Sequence, residues 1–257
     1  MNRNTVRQVV NVIAFLAVVV VNTLANILPL NGLNTGEISD RFQVFFVPAG
    51  YVFAIWGVIY LALGAFTIYQ ALPGQRDNAR LQRIGYLFAA SSVANIAWLF
   101  LWHYEYFLWT LVAMITLLII LIALYLRLKI GREPVKRVER WLVDIPFSIY
   151  LGWISVATAA NITQMLWYVG WDGFGIAPEM WAVLILLVVA VLSTAMAISR
   201  GDVAYLLVII WASVGIAVKQ QPTPVVSITA WAVAAYAAIL VILALIVQRR
   251  SGASAQA

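Results

Sequence analysis

Amide side chains recur in segments of this chain that are otherwise almost wholly apolar. The stretch YLGWISVATAANITQMLW, residues 150–167, carries Asn161 and Gln164 and is nearly long enough to cross a membrane. A buried amide is costly unless it has a hydrogen-bond partner. Such amides therefore either bond to a neighbouring helix or offer hydrogen-bonding groups to a ligand in a cavity.

The amides fall on related faces of several apolar segments. Asn11, Asn22 and Asn26 are spaced by 11 and 4 residues, which places them on one face of the first segment if it is helical. Asn95 lies in the third segment and Asn161 in the fifth. For each amide alone, bonding between helices explains the residue as well as ligand binding does. The presence of inward-facing amides on three helices favours a shared cavity that has a few hydrogen-bonding groups in its wall.

Tryptophans accompany the amides at helical spacing. Trp56 and Tyr60 are four residues apart, and Trp98 follows Asn95 by three. Each such set places a flat aromatic ring beside a polar or small group on one helical face. Aromatic walls with few polar groups can hold a large, flat, apolar ligand, whereas plain aromatic packing between helices is the alternative. The candidate ligand-binding residues are Asn22, Asn26, Trp56, Tyr60, Asn95, Trp98, Trp153, Ala157 and Asn161.

Composition places these segments in a membrane protein. The 257 residues are 64% hydrophobic and 10% charged, whereas soluble domains carry about 25% charged residues. A bilayer core requires about 20 apolar residues of helix. The sequence predicts an all-α integral membrane protein with eight transmembrane helices, at residues 8–28, 45–71, 84–102, 106–128, 142–168, 179–199, 203–219 and 225–248.

The basic residues predict the orientation of these helices. With eight spans and a cytoplasmic N-terminus, 14 of the 16 lysines and arginines fall on the cytoplasmic side, and only Arg41 and Lys219 fall outside. We therefore expect a multi-pass protein of the cell membrane, of the bacterial inner-membrane type, with both termini cytoplasmic. The net charge of +6 is then a topology signal, and no nucleic-acid partner is expected. The tail 251–257 is predicted to be disordered.

Several kinds of site are excluded or disfavoured by residue type. The chain has no cysteine and a single histidine, His103, so thiolate and multi-histidine metal sites are excluded. Haem ligation by His103 would be unusual for an interfacial histidine. Asp144 precedes a proline by two residues and is interpreted as a helix N-cap. The middle of the spans lacks charged residues, which disfavours ion-coupled transport, and no catalytic set is visible, so an enzyme is not expected.

Three of these segments resemble the tryptophan-rich sensory protein / translocator protein (TspO/MBR) family. The family's fifth-helix pattern Y-L-A-W-x-x-F-A-T-x-L-N is similar to YLGWISVATAAN, residues 150–161, with Val156 in place of the aromatic. Its second-helix pattern is similar to PAGYVFAIWGVIY, residues 48–60, although one residue is missing between Phe53 and Trp56. Its third-helix pattern L-N-x-x-W-S-P is similar to ANIAWLF, residues 94–100, which lacks the Ser-Pro.

The resemblance implies a five-helix bundle over residues 1–170, with three additional helices over residues 171–250. It also implies a cavity between helices 2 and 5 that binds a tetrapyrrole such as protoporphyrin or haem, with the loop between helices 1 and 2 as its lid. Family members are often dimeric, so a homodimer is one expected partner.

The expected function is a membrane receptor, sensor or carrier for a flat hydrophobic ligand, either a tetrapyrrole or an isoprenoid. The alternatives are a small-molecule transporter and an accessory subunit of a larger membrane complex.

Overall fold

Eight long helices account for most of the molecule. The computed structural model describes residues 2–28 and 30–254, and all of their side chains except those of Asn26 and residues 247–254. Within this part of the chain no strand occurs. The long helices are α1 (Arg3–Ile27), α2 (Ile55–Ala71), α3 (Leu87–His103), α4 (Phe107–Arg127), α5 (Ile145–Tyr168), α6 (Pro178–Arg200), α7 (Val203–Lys219) and α8 (Pro224–Ser254).

Six helical segments of the described chain are long and apolar enough to cross a membrane. They are Arg3–Ala25, Gly50–Ala71, Phe107–Arg127, Arg137–Tyr168, Pro178–Arg200 and Pro224–Ile246. Helices α3 and α7 are apolar but have only 17 residues each, a length of about 26 Å against a hydrocarbon core of about 30 Å. The protein is thus a helical multi-pass membrane protein, and crossing by all eight helices stays a prediction.

The connections between helices collect at two opposite ends of the bundle. At one end, here called the basic end, Arg7 donates a hydrogen bond of 3.2 Å to the carbonyl of Arg76. There Arg80 donates 3.2 Å to the carbonyl of Leu128. The α6–α7 connection joins this end through Arg200, which donates 3.2 Å to a carbonyl of the α4–α5 connection. The opposite end, here called the cap end, carries the long α1–α2 connection.

Helices α1 to α5 close into a ring. Helix α1 packs on α2 and α3, α3 packs on α4, α4 on α5, and α5 returns to α2. Helix α7 packs on α5 and on α8, and α8 packs on α6. Helix α5 is therefore surrounded, and 67% of its most apolar window is buried against 22–33% in the other five candidate spans. Because α5 is surrounded by other helices, it is the helix in which amide side chains can avoid contact with lipid.

Helix α7 is attached to the ring by a close backbone approach. The amide of Ala49 donates 3.1 Å to the carbonyl of Gly215. A Cβ on Gly215 would lie 2.2 Å from Cγ2 of Val52, so only glycine allows this contact. The indole of Trp211 donates 3.0 Å to the carbonyl of Val52. These contacts fix the 3₁₀ turn Gly50–Ala54, which leads into α2.

The interpretation of Asp144 as a helix N-cap is wrong. The chain is already helical at Arg137–Glu139 and passes through a π turn at Arg140–Asp144 before α5. Asp144 has helical dihedral angles, and its side chain makes no cap bond. Because its carboxylate is buried, it requires a cation, and it forms an ion pair with Arg80.

The carboxylate that does cap a helix at the basic end is Asp202. It accepts a bond of 3.1 Å from the amide of Tyr205 in the first turn of α7. It also accepts 2.7 Å from the hydroxyl of Tyr125 and 2.6 Å from that of Ser148. Asp202 therefore joins α4, α5 and α7.

The last helix reaches into the predicted tail. Helix α8 runs to Ser254, within the segment 251–257 that the sequence predicts as disordered. Residues 255–257 lie outside the described residues.

Candidate ligand cavity

A cavity lies inside the five-helix ring near the cap end. The space between the lining atoms amounts to about 480 Å³, a figure that includes space open to the surroundings. Most of its surface is aromatic and aliphatic, with polar groups from α5 and from the α1–α2 connection. The residues that line the cavity include Thr35, Ser39, Phe53, Trp56, Trp98, Trp102, Trp153, Ala157, Asn161 and Gln164.

The structure brings five of the nine candidate residues to this cavity. They are Trp56, Trp98, Trp153, Ala157 and Asn161. They come from α2, α3 and α5, which are the helices on which the sequence placed the aromatic faces.

Three buried polar atoms at the cavity have no hydrogen-bond partner in the part of the chain that the structure describes. They are the indole nitrogens of Trp98 and Trp153 and the side-chain oxygen of Asn161. All three side chains are more than nine-tenths buried. An unsatisfied buried donor or acceptor costs about 1–3 kcal/mol. Because the three residues line the cavity, two donors and one acceptor lie at its wall without a partner among the described residues.

The orientation of the Asn161 amide follows from its neighbour. The hydroxyl of Thr110 donates 2.6 Å to the carbonyl of Phe107, so that hydroxyl can only accept a further bond from Asn161. The Asn161 nitrogen donates to it at 3.1 Å. The amide oxygen of Asn161 is therefore the acceptor that remains without a partner among the described residues.

The aromatic rings stand at angles that leave flat walls. Trp56 and Trp153 meet edge to face with centroids 6.3 Å apart, and Phe53 meets Trp153 in the same way at 5.8 Å. Trp98 stacks on Trp102 at 5.4 Å. Such pairs stabilise the packing by about 0.5–1.5 kcal/mol each beyond their buried area.

One residue of the family pattern is missing between Phe53 and Trp56, and the 3₁₀ turn before α2 explains why both aromatic rings still line the cavity. A 3₁₀ helix has about three residues per turn, so residues three apart lie on the same side. Phe53, at the end of this turn, and Trp56, in the first turn of α2, are three apart, and both line the cavity.

The other candidate amides form hydrogen bonds between helices instead of lining the cavity. Asn22 on α1 donates 2.9 Å to the oxygen of Asn95 on α3, and Asn95 donates 3.2 Å to the hydroxyl of Tyr150 on α5. The expectation that Asn95 faces the cavity is therefore not met, because its amide is used by its neighbours. Tyr60 stacks on Trp56, with centroids 5.5 Å apart. The side chain of Asn26 lies outside the described residues.

The α1–α2 connection closes the cavity at the cap end. Its short helix Thr35–Asp40, here called the cap helix, begins with a reciprocal pair of bonds between Asn34 and Glu37. The indole of Trp102 donates 3.2 Å to the carbonyl of Thr35. Gln164 donates 2.9 Å to the hydroxyl of Ser39. The predicted lid is thus folded onto α3 and α5.

Two ion pairs bind the edges of this cap to neighbouring segments. Lys219, at the end of α7, lies 2.6 Å from Asp40. Arg41 pairs with Glu105 in the α3–α4 connection, and the hydrogen bond to that carboxylate raises the pKa of the Arg41 guanidinium. The two basic residues predicted to lie outside are both used to hold the cap.

His103 contacts the α1–α2 connection through both of its ring nitrogens. Its Nδ1 lies 3.1 Å from the carbonyl of Leu30, and its Nε2 lies 3.2 Å from the hydroxyl of Thr35. A carbonyl can only accept, so Nδ1 carries a proton, and in the neutral imidazole Nε2 then accepts from the hydroxyl. In the described part of the chain, no group of three histidine, aspartate or glutamate side chains could hold a metal ion.

Several cavity residues were absent from the candidate set. Trp102 follows Trp98 by four residues and Gln164 follows Asn161 by three, so helical spacing could have included both. Thr35 and Ser39 carried no such signal, because they reach the cavity only through the folding of the cap.

The comparison with known families covers nearly the whole chain. The family model described as TSPO-like protein matches residues 8–244. The chain belongs to the TSPO-like protein family. The match runs through α6 and α7 and into α8, so the relationship extends beyond the first 170 residues, where the sequence motifs alone had placed it. Searches of curated proteins and of solved structures found no match. Membership indicates a multi-pass membrane protein with a binding or sensing role in general terms.

Proposed function

We propose that this TSPO-like protein is a non-enzymatic membrane receptor or carrier that holds a flat, largely apolar ligand in the central cavity. The observation that carries the proposal is the set of three unpaired polar atoms on Trp98, Trp153 and Asn161. A cavity with only apolar walls would suit any lipid. Two donors and one acceptor at defined positions suit a ligand with hydrogen-bonding groups at its edge.

These atoms favour a tetrapyrrole over an isoprenoid hydrocarbon. A carboxylate on the edge of a porphyrin accepts hydrogen bonds, and indole N–H groups donate them. A hydrocarbon would leave all three protein atoms unpaired at about 1–3 kcal/mol each. Since both ring nitrogens of His103 already have partners, metal-free protoporphyrin is the ligand we propose to test first.

We further propose that all eight helices cross the cell membrane with both termini cytoplasmic. Support comes from the distribution of basic residues. It also comes from the meeting of the N-terminal segment with the α2–α3, α4–α5 and α6–α7 connections at the basic end. A homodimer stays part of the proposal, because family members are often dimeric.

Binding of protoporphyrin IX to the protein in lipid nanodiscs tests the ligand proposal. Porphyrin fluorescence polarisation reports binding without depending on tryptophan emission. We expect micromolar affinity, about −8 kcal/mol. Trp153→Phe keeps an aromatic wall but removes the N–H donor. Because a hydrogen bond to a charged group contributes about 1.5–3 kcal/mol, we expect at least about tenfold weaker binding.

Two controls distinguish binding in the cavity from adsorption to the apolar surface of the protein. Trp109 is 62% exposed on the outside of α4 and does not line the cavity, so Trp109→Phe should leave binding unchanged. The dimethyl ester of protoporphyrin lacks the carboxylates, so Trp153→Phe should affect it less than the free acid. Equal binding of the free acid by wild type and both variants would show non-specific adsorption, and the accessory-subunit function would then be preferred.

A further inference from the structure

A second cavity opens to the bilayer between α5, α6 and α7. The space between its lining atoms amounts to about 320 Å³, including space open at its mouth. Val188 and Leu192 of α6 line it and are 57% and 45% exposed on the outer surface of the helices. On the inner side it is lined by Ser155 and Ala159 of α5 and by Ile209 of α7.

The packing of the C-terminal helices explains this groove. Helix α6 packs on α7 and α8 but forms no extensive contact with α5. The α5 residues that face the gap, Ser155 and Ala159, are small and leave it unfilled. At membrane depth such a gap is occupied by the apolar part of the bilayer or by molecules dissolved in it.

One side chain lies between this groove and the central cavity. Val156 lines both of them and is only 3% exposed. Its neighbours on either side divide between the two spaces, since Ala157 lines the central cavity and Ser155 lines the groove. Val156 therefore borders both spaces.

The route from the outer aqueous side is closed by specific bonds. Gln164 bonds to Ser39, and Trp102 bonds to Thr35, at the place where the cap helix covers the cavity. A ligand entering from that side would have to break both bonds and displace the cap. A rotation of the Val156 side chain disturbs none of the hydrogen bonds described for the cavity.

We propose that the groove between α5, α6 and α7 is a lateral entrance, through which flat apolar molecules dissolved in the bilayer reach the central cavity past Val156. This inference rests on the proposed function, because the cavity must have a ligand for the entrance to matter. It assigns a role to α6 and α7 as the frame of the opening.

Substitution at the mouth of the groove tests the entrance through rates. Val188→Trp fills the mouth without touching the central cavity, and Val191→Trp is the matched control. Val191 lies on the same helix, is 68% exposed and does not line the groove. With protoporphyrin IX preloaded in vesicles, we expect Val188→Trp to slow association and dissociation at least tenfold while the dissociation constant changes less than twofold. Equal rates in the two variants would overturn the proposal.

A labelling experiment decides the route without any porphyrin. The chain has no cysteine, so Ala157→Cys places a single thiol at the central cavity. A bilayer-soluble pyrene maleimide should modify this thiol, and Val188→Trp should slow the modification at least tenfold whereas Val191→Trp should not. The denatured protein gives the maximal labelling. Equal labelling rates, or none in the folded protein, would overturn the entrance even if porphyrin binds. If porphyrin does not bind but Val188→Trp still slows the labelling, the proposed ligand is wrong and the entrance stands.

Discussion

Asn95 and Asn161 are both buried amides at membrane depth, yet their surroundings give them different roles. Asn95 uses its nitrogen and its oxygen to join α1, α3 and α5. Asn161 lines the cavity, its nitrogen donates to Thr110, and its oxygen has no partner among the described residues. The sequence could identify both as unusual but could not separate them, because the distinction depends on which side chain of another helix lies opposite.

The two amides should therefore differ in their effect on stability. Asn95→Leu removes two bonds between helices and leaves Asn22 and Tyr150 without that partner. Asn161→Leu removes one bond and eliminates an unpaired oxygen. Since such bonds contribute about 0.6 kcal/mol each in membranes, we expect Asn95→Leu to cost about 1–2 kcal/mol and Asn161→Leu to be nearly neutral. Unfolding midpoints in detergent check this, and a larger loss for Asn161→Leu would contradict it.

The buried ion pair between Arg80 and Asp144 gives a second prediction. Both side chains are about nine-tenths buried, and Arg80 also lies 3.6 Å from Glu139. Removing the Arg80 charge leaves Asp144 unpaired at a cost of about 3–5 kcal/mol. Arg80→Leu should thus be strongly destabilising, whereas the double variant Arg80→Leu/Asp144→Leu should recover much of the loss. Denaturation of the four proteins of this cycle measures the coupling. Additive losses would show that the pair is not coupled.

At the scale of elements, α7 connects the additional helices to the ring through a contact that depends on one glycine. Gly215 allows the backbone of α7 to reach the turn Gly50–Ala54. The sequence predicted α7 as a helix from its apolar run and its flanking turn signals. It could not predict the docking partner, because a glycine in a membrane helix fits many close contacts.

Gly215→Ala should weaken this docking. The new Cβ would overlap Val52 at 2.2 Å, and overpacking of this kind costs about 1–3 kcal/mol. Val52→Ala removes the overlapping methyl groups, so the double variant Gly215→Ala/Val52→Ala should be more stable than Gly215→Ala alone. Thermal unfolding in detergent is the measurement. A double variant less stable than both single variants would show that the contact is not the cause.

For the whole molecule, the sequence predicted the helices and their grouping at two ends better than the contacts between them. The apolar runs and the positions of the basic residues correspond to the eight long helices and to the basic end. The cap, the groove and the docking of α7 could not be predicted, because they depend on contacts between residues far apart in the chain. The bond between Gln164 and Ser39 spans 125 positions.

The number of helices that cross the membrane is the property of the whole molecule on which the proposed orientation depends. Helices α3 and α7 have only 17 residues each. If α3 did not cross, every connection after it would change sides. The cysteine-free chain allows single thiols at exposed positions in the connections, namely Tyr104→Cys after α3, Arg132→Cys after α4 and Gln221→Cys after α7.

Labelling of these thiols by a membrane-impermeant maleimide in intact cells should follow the eight-span arrangement. We expect thiols at positions 104 and 221 to react from outside, and the thiol at position 132 to react only after permeabilisation. Reaction at position 132 in intact cells would reverse the orientation of the chain beyond α3. Protection of position 221 together with reaction at position 104 would show that α7 does not cross. The second outcome would also move the lateral entrance away from the bilayer core, since α7 forms one of its walls.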